Sequence, residues 1–287
     1  MAEAISAPSG NPGWLRNAGF DTTFIWGIAA AAMLSGMVVA VRPELFTWVL
    51  MADLWLLGYH HVISTFTRLA FDRQSLRTYR FYVFGLPIIV FGVTFLLAFG
   101  IGIWVIASVY LYWQWFHYTR QSWGISRVYE AKSAEAVNEN PLFAKLCFYL
   151  LPTWGILYRS WQAPDEFLFV ELRVIPVPEF LVQAVGFAAI SALAIWGYQR
   201  LRAWQAGRLP IAHTCYMLSH FGIFSLGYLI IEDITYGWLV INIWHNAQYI
   251  LFVWLFNSYR FKSGVDPKAQ FLSRISQPSN IVAYMLW

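Results

Sequence analysis

The chain has 287 residues, of which 59% are hydrophobic, 19% aromatic and only 12% charged. A soluble domain carries about a quarter charged residues and could not hide this much apolar surface in one core. A cytosolic enzyme, a disordered chain and a nucleic-acid-binding module are therefore excluded. The formal charge of +4 is no nucleic-acid footprint, because the basic residues fall into loops on one side of the expected spans.

The segment Met1 to Gly13 is polar, small and rich in Pro and Gly. It lacks the positive start and short apolar stretch of a cleaved signal, so the first apolar segment reads as a retained span. A helix needs about 20 apolar residues to cross a bilayer. Eight stretches read as spans on this basis, seven near that length and one shorter: Phe24–Val41, Leu45–Thr67, Phe81–Phe99, Ile101–Thr119, Leu146–Trp161, Phe180–Tyr198, Ile211–Ile231 and Tyr236–Asn257. Gly100 and Gly102 mark a tight turn between the third and fourth. The fifth is short and carries Pro152, which predicts a kink or a partly re-entrant segment. The expected fold is an all-α integral membrane protein. It is read as one polytopic domain over 1–287, a bundle of about eight transmembrane helices with a histidine-rich interior. The tail 1–20, a loop over 120–145 and a C-terminal tail over 259–287 lie outside it. The loop Gln121–Asn140 is expected to carry a short surface helix. Asn280–Trp287 is expected to be an interfacial anchor or the start of a further helix.

Charge placement sets the orientation. In an eight-span arrangement only Arg42, Arg159 and Arg173 fall on one side, and the other 16 of the 19 basic residues fall on the opposite side. The positive-inside rule then places both termini in the cytoplasm, in what reads as a bacterial inner membrane. Cys147 and Cys215 lie in apolar stretches with no Cys-x-x-Cys pair and read as buried free thiols.

All six histidines fall inside expected spans: His60 and His61 in the second, His117 in the fourth, His213 and His220 in the seventh, His245 in the eighth. Ionisable groups in a bilayer are costly and mark function. Helical rise places them from the cytoplasmic rim to just past mid-membrane. Histidines gathered from several helices are how bundle interiors build metal sites. The spacings agree. His213, Tyr216 and His220 share a face, and Asp53, seven residues before His60, shares that histidine's face. Gln114, His117 and Gln121 form one stripe; Asn242, His245, Asn246 and Tyr249 form another. Such faces must point away from lipid.

Imidazole suits iron, zinc, copper and nickel. His60, His117, His213, His220 and His245 are the expected ligands of one metal site or of a dinuclear centre. His61 and Asp53 are ligands or the partners behind them, with Asn246 in the same cofactor-holding group. Tyr216, Tyr249 and Gln114 orient ligands or oxygen in a catalytic role.

Ser219-His220-Phe221-Gly222 is similar to a His-Phe-Gly stretch of the bacteriorhodopsin-related β-carotene dioxygenases, the Brp/Blh group. Trp244-His245-Asn246 likewise sits late in the chain, as a Trp-His does there. The resemblance covers the seventh and eighth spans. The early Pro-His-Gly with a following acidic residue and the late Arg-His pair of that family are missing here. The resemblance implies non-haem iron held by histidines and oxygen-dependent cleavage of an apolar substrate. The expected function is thus a membrane-embedded non-haem iron oxygenase or oxidoreductase. Its partners are a lipophilic substrate, O2, membrane lipids and an electron-donor protein, with no nucleic acid. A b-type haem protein moving electrons to or from quinone is the main alternative. A proton-coupled or metal-ion transporter ranks after it, since no internal repeat is visible.

Overall fold

A computed structural model describes residues 13–133 and 140–287. The rest of the expected N-terminal tail, and 134–139 within the expected loop, lie outside the described residues. The elements run in order as α1 (Ala18–Thr22), α2 (Ile28–Val41), α3 (Phe46–Asp53), α4 (Tyr59–Ala70), α5 (Arg73–Arg80), α6 (Leu86–Gly100), α7 (Ile103–Lys132) and α8 (Pro141–Gln162). A two-stranded hairpin follows, β1 (Glu166–Phe167) against β2 (Val170–Glu171). Then come α9 (Glu179–Gln205), α10 (Ile211–Ser225), α11 (Ile234–Arg260), α12 (Gln270–Ile275) and α13 (Ile281–Leu286). The protein is thus nearly all helix. Single π-helical turns join α1 to α2 (Thr23–Gly27), α3 to α4 (Leu54–Gly58) and α5 to α6 (Phe81–Gly85), and one follows α10 (Leu226–Ile230).

Among the described residues five helices are long and apolar enough to cross a membrane: Ala18–Val41, Arg73–Gly100, Pro141–Gln162, Glu179–Gln205 and Ile234–Arg260. Each contains one of the expected spans. The other three expected stretches also fall on helix, in α3–α4, α7 and α10 with its π turn. Gly102 has φ +134, so the turn between α6 and α7 uses a conformation that a side chain disfavours. The helix α8 continues through Pro152. The separate surface helix expected after Gln121 is not formed through Lys132. Instead α7 runs on, because Tyr118, Ser122, Ile125, Ser126 and Tyr129 continue one buried stripe at helical spacing.

The chain divides into two units, Met1–Gly36 with Ala107–Ile241 and Met37–Ile106 with Asn242–Trp287. In the first, α8 packs along α9 and against α10. Glycines permit close approach there: a Cβ at Gly237 would lie 2.0 Å from the carbonyl oxygen of Gly227. Arg159 is buried at the end of α8. It donates to the carbonyl oxygens of Gly227 (3.2 Å), Ile231 and Glu232 (2.6 Å), the groups that the end of the π turn leaves unsatisfied. Buried Asp21 accepts from the Tyr129 hydroxyl at 2.7 Å and from the backbone N–H groups of Leu15, Arg16 and Asn17, which fixes the entry into α1.

In the second unit, α4 presents His60, Ser64 and Thr67 as one buried face. The C-terminal residues cover it. The Tyr284 ring lies 5.3 Å from that of His60, and Trp287 Nε1 donates to Thr67 at 3.3 Å. The apolar end expected as an anchor is a short helix that packs on this unit.

Candidate metal centre

The second unit brings two histidines face to face. His61 lies on α4 and His245 on α11, with ring centroids 4.9 Å apart. A ring nitrogen of each lies within 4.8 Å of one on the other. Tyr249, one turn after His245, lays its ring 4.1 Å from that of His61. The Tyr249 hydroxyl is 2.6 Å from Thr65 Oγ1, and Thr65 is one turn after His61. Two stripes therefore meet: His61 and Thr65 from α4, His245 and Tyr249 from α11. His245 is buried and His61 half-buried.

One turn away along α11, buried Asp53 accepts from Asn242 Nδ2 at 2.5 Å and from Asn246 Nδ2 at 3.5 Å. The polar face on α11 is thus arranged as its spacing implies. The partner face differs by one residue. Counting an unbroken α-helix puts Asp53 over His60. The π turn Leu54–Gly58 accommodates one extra residue, which rotates everything before it by about 100°. Asp53 therefore continues into the His61–Thr65 stripe. His60 turns instead toward Tyr284 and the Met285 backbone, and its Nε2 has no hydrogen-bond partner among the described residues.

In the first unit, the stripe His213, Tyr216, His220 on α10 meets Ser122 and Ser126 on α7. His220 Nε2 lies 3.2 Å from the Phe148 carbonyl oxygen and its Nδ1 lies 3.0 Å from Ser122 Oγ. A carbonyl only accepts, so Nε2 carries the proton and Nδ1 accepts from the serine. Ser122 can then accept from the Tyr216 hydroxyl, 2.9 Å away. The His220 ring stacks on Phe148, 3.8 Å between centroids. His213 is placed in the same manner, with Nε2 3.0 Å from Ser126 Oγ and Nδ1 3.5 Å from an Arg200 nitrogen. Arginine only donates, so Nε2–H donates to the serine. Both ring nitrogens of both histidines are engaged in hydrogen bonds.

His117 is half-buried on α7, its ring near-parallel to that of Trp113 at 6.4 Å. Gln114 is half-buried one turn earlier. Sequence reasoning did not single out Thr65, Ser126 or Arg200. The signal for Thr65 and Ser126 was present: each hydroxyl continues a polar stripe at a spacing of four, after His61 and Ser122.

A bound metal is joined to imidazole nitrogen at about 2.0–2.1 Å. Two ligands of one ion thus lie up to about 4 Å apart, which small ring rotations of His61 and His245 reach. The donor type fits iron, zinc or copper. It does not fit a haem held between these two rings. Axial imidazoles leave room for a macrocycle between them, and a centroid separation of 4.9 Å leaves none. Comparison with family models, curated proteins and solved structures finds no match.

Proposed function

We propose that this chain is a polytopic membrane metalloenzyme whose metal is held by His61 and His245. The observation that carries the reading is the approach of the His61 and His245 rings inside one unit, flanked by Tyr249. The reaction class is oxidation or cleavage of a lipophilic substrate with O2, a reading that rests on the dioxygenase-like Trp-His stretch that carries His245. Eight spans with both termini in the cytoplasm of a bacterial inner membrane complete the proposal, supported by the one-sided basic residues.

Iron bound there would supply redox chemistry toward dioxygen at open coordination positions. The chain's own residues do the rest. His61 and His245 each give one nitrogen. Tyr249 packs on His61, and the bond between its hydroxyl and Thr65 holds that ring in place. Asp53, chiefly through Asn242 and more weakly through Asn246, fixes the turn of α11 that leads to His245. The apolar surroundings exclude water and admit an apolar substrate from lipid. His213 and His220 are assigned to hydrogen bonding inside the first unit rather than to metal.

Metal analysis with an optical spectrum on detergent-purified protein tests this. About one or two equivalents of iron are expected, without a Soret band. His61→Ala and His245→Ala should each lose most of the metal. Metal-free wild-type protein, or metal retained in both variants, overturns the proposal.

A further inference from the structure

The second unit carries a cleft of about 530 Å³ lined by Arg73, Gln74, Arg77, Thr78 and Lys268. Arg73 and Arg77 are one helical turn apart on α5. Lys268 comes from the turn Pro267–Ala269, which packs on α5. Both walls are fixed by acidic groups outside the cleft. Asp72, just before α5, accepts from Arg260 at 3.1 Å and from the Ser75 hydroxyl at 2.6 Å. The Asp266 carboxylate accepts from the Lys268 backbone N–H at 2.8 Å. Within the cleft the balance is different. Among the described residues no acidic side chain lines it, and none of its three cations forms an ion pair.

Three like charges held at one cavity repel one another unless an anion joins them. Arginine forks match the oxygens of a phosphate in two-point geometry, lysine adds a mobile point charge, and Gln74 adds an amide donor. The location narrows the source of the anion. Arg73 opens the apolar stretch Arg73–Gly100, and Tyr79, Phe81 and Tyr82 follow as exposed aromatics. Basic residues followed by aromatics at the polar end of an apolar helix sit at headgroup level in a bilayer.

We propose that Arg73, Arg77 and Lys268 form a binding site for a phosphate group, of the kind carried by an acidic phospholipid headgroup or a soluble phosphate ester. The site is independent of the metal reading. Native mass spectrometry of the detergent-purified full chain tests it, with phosphatidylglycerol, phosphatidylcholine and inorganic phosphate as probes. The variant Arg73→Gln/Arg77→Gln/Lys268→Gln is compared with Arg208→Gln/Lys262→Gln/Arg274→Gln. The second removes the same charge from exposed positions outside the cleft. The cleft variant should bind phosphatidylglycerol about 10–100-fold more weakly, and the control variant within about 2-fold of wild type. If excess inorganic phosphate leaves the bound phosphatidylglycerol in place, the ligand is the lipid. If it displaces the lipid, and the cleft variant fails to bind it, the ligand is a soluble phosphate. Equal losses in both variants, or phosphatidylcholine held as tightly as phosphatidylglycerol, overturn the proposal. Should the triple change lower the melting temperature, the single exposed variant Arg77→Glu repeats the comparison under the same criteria.

Discussion

Replacing Asp53 by Asn separates positioning from metal ligation. The carboxylate is 3% exposed and accepts from Asn242 at 2.5 Å and Asn246 at 3.5 Å. The longer contact is at the limit of useful geometry, so the Asn242 bond carries most of the energy. A hydrogen bond to a charged acceptor contributes about 1.5–3 kcal/mol net, and one between neutral groups about 0.5–1.5 kcal/mol. The new amide can keep its oxygen toward Asn242, but its nitrogen then meets the Asn246 amide donor to donor. The expected loss is about 1–2 kcal/mol by difference. Asp53→Leu removes the acceptor altogether and should cost a further ~1–3 kcal/mol. Neither change touches His61 or His245, so metal should stay bound, with affinity lowered by no more than about 10–100-fold. Thermal unfolding can be followed by dye labelling of the buried Cys147 thiol, with metal content measured on the same samples. Wild-type stability together with loss of the metal in Asp53→Asn would show that the carboxylate is a ligand and refute the positioning role.

Reporter fusions after Asn140 and after Pro267 should both read cytoplasmic; a periplasmic signal at either breaks the eight-span topology. Gly237→Ala should cost about 1–3 kcal/mol or more, because its Cβ would meet the Gly227 backbone oxygen, whereas Gly92→Ala, with nothing within 4 Å of its Cβ, should melt within error of wild type. Burial alone would raise the pKa of Asp72, but the Ser75 hydroxyl and the Arg260 guanidinium more than offset this and hold it below the usual 3.8. A depressed folded-state pKa gives stability that is present above the unfolded value and lost as pH falls through the folded one. Melting of wild type should therefore show an acid-side loss starting below about pH 4 that Arg260→Gln diminishes, and identical profiles would refute the ion pair. Cys147→Ala and Cys215→Ala should leave metal content unchanged, since neither thiol belongs to the histidine pair.

The sequence disclosed the helical class because apolar runs near 20 residues are a one-dimensional signal. The stripe Asn242, His245, Asn246, Tyr249 was legible for the same reason: α11 is unbroken, so spacing converts directly into a face. The partner stripe was not. Nothing in Leu54–Gly58 distinguishes a π turn from an α turn by composition, yet one extra residue placed His61, and not His60, on the face that continues from Asp53. Arg159 was visible only as one of three basic residues on the sparse side. Its interior role depends on where the π turn after α10 leaves its carbonyls, which is a tertiary fact. The length of α7 was obscured by charged residues after Thr119, although the buried serines at 122 and 126 carry the same period onward.

Six histidines gave one uniform signal, but their partners divide them, and His220 is where that division is tested most sharply. Its two nitrogens face a carbonyl and a serine hydroxyl, and its ring lies on Phe148. To ligate a metal through either nitrogen it would have to give up a hydrogen bond in a low-dielectric interior, and the Phe148 carbonyl or the Ser122–Tyr216 pair would lose a partner. His220→Ala should therefore act on stability. Two neutral hydrogen bonds at about 0.5–1.5 kcal/mol each and one ring contact at about 0.5–1.5 kcal/mol predict a loss of about 1.5–4.5 kcal/mol, with the metal-to-protein ratio unchanged. His220→Gln can replace one of the two bonds and should recover part of the loss. His245→Ala should show the opposite pattern, with metal lost and a smaller change in unfolding temperature once metal-free samples are compared. If His220→Ala strips the metal at unchanged stability, the hydrogen-bonded arrangement in the first unit is not the state that binds metal, and His220 returns to the ligand set.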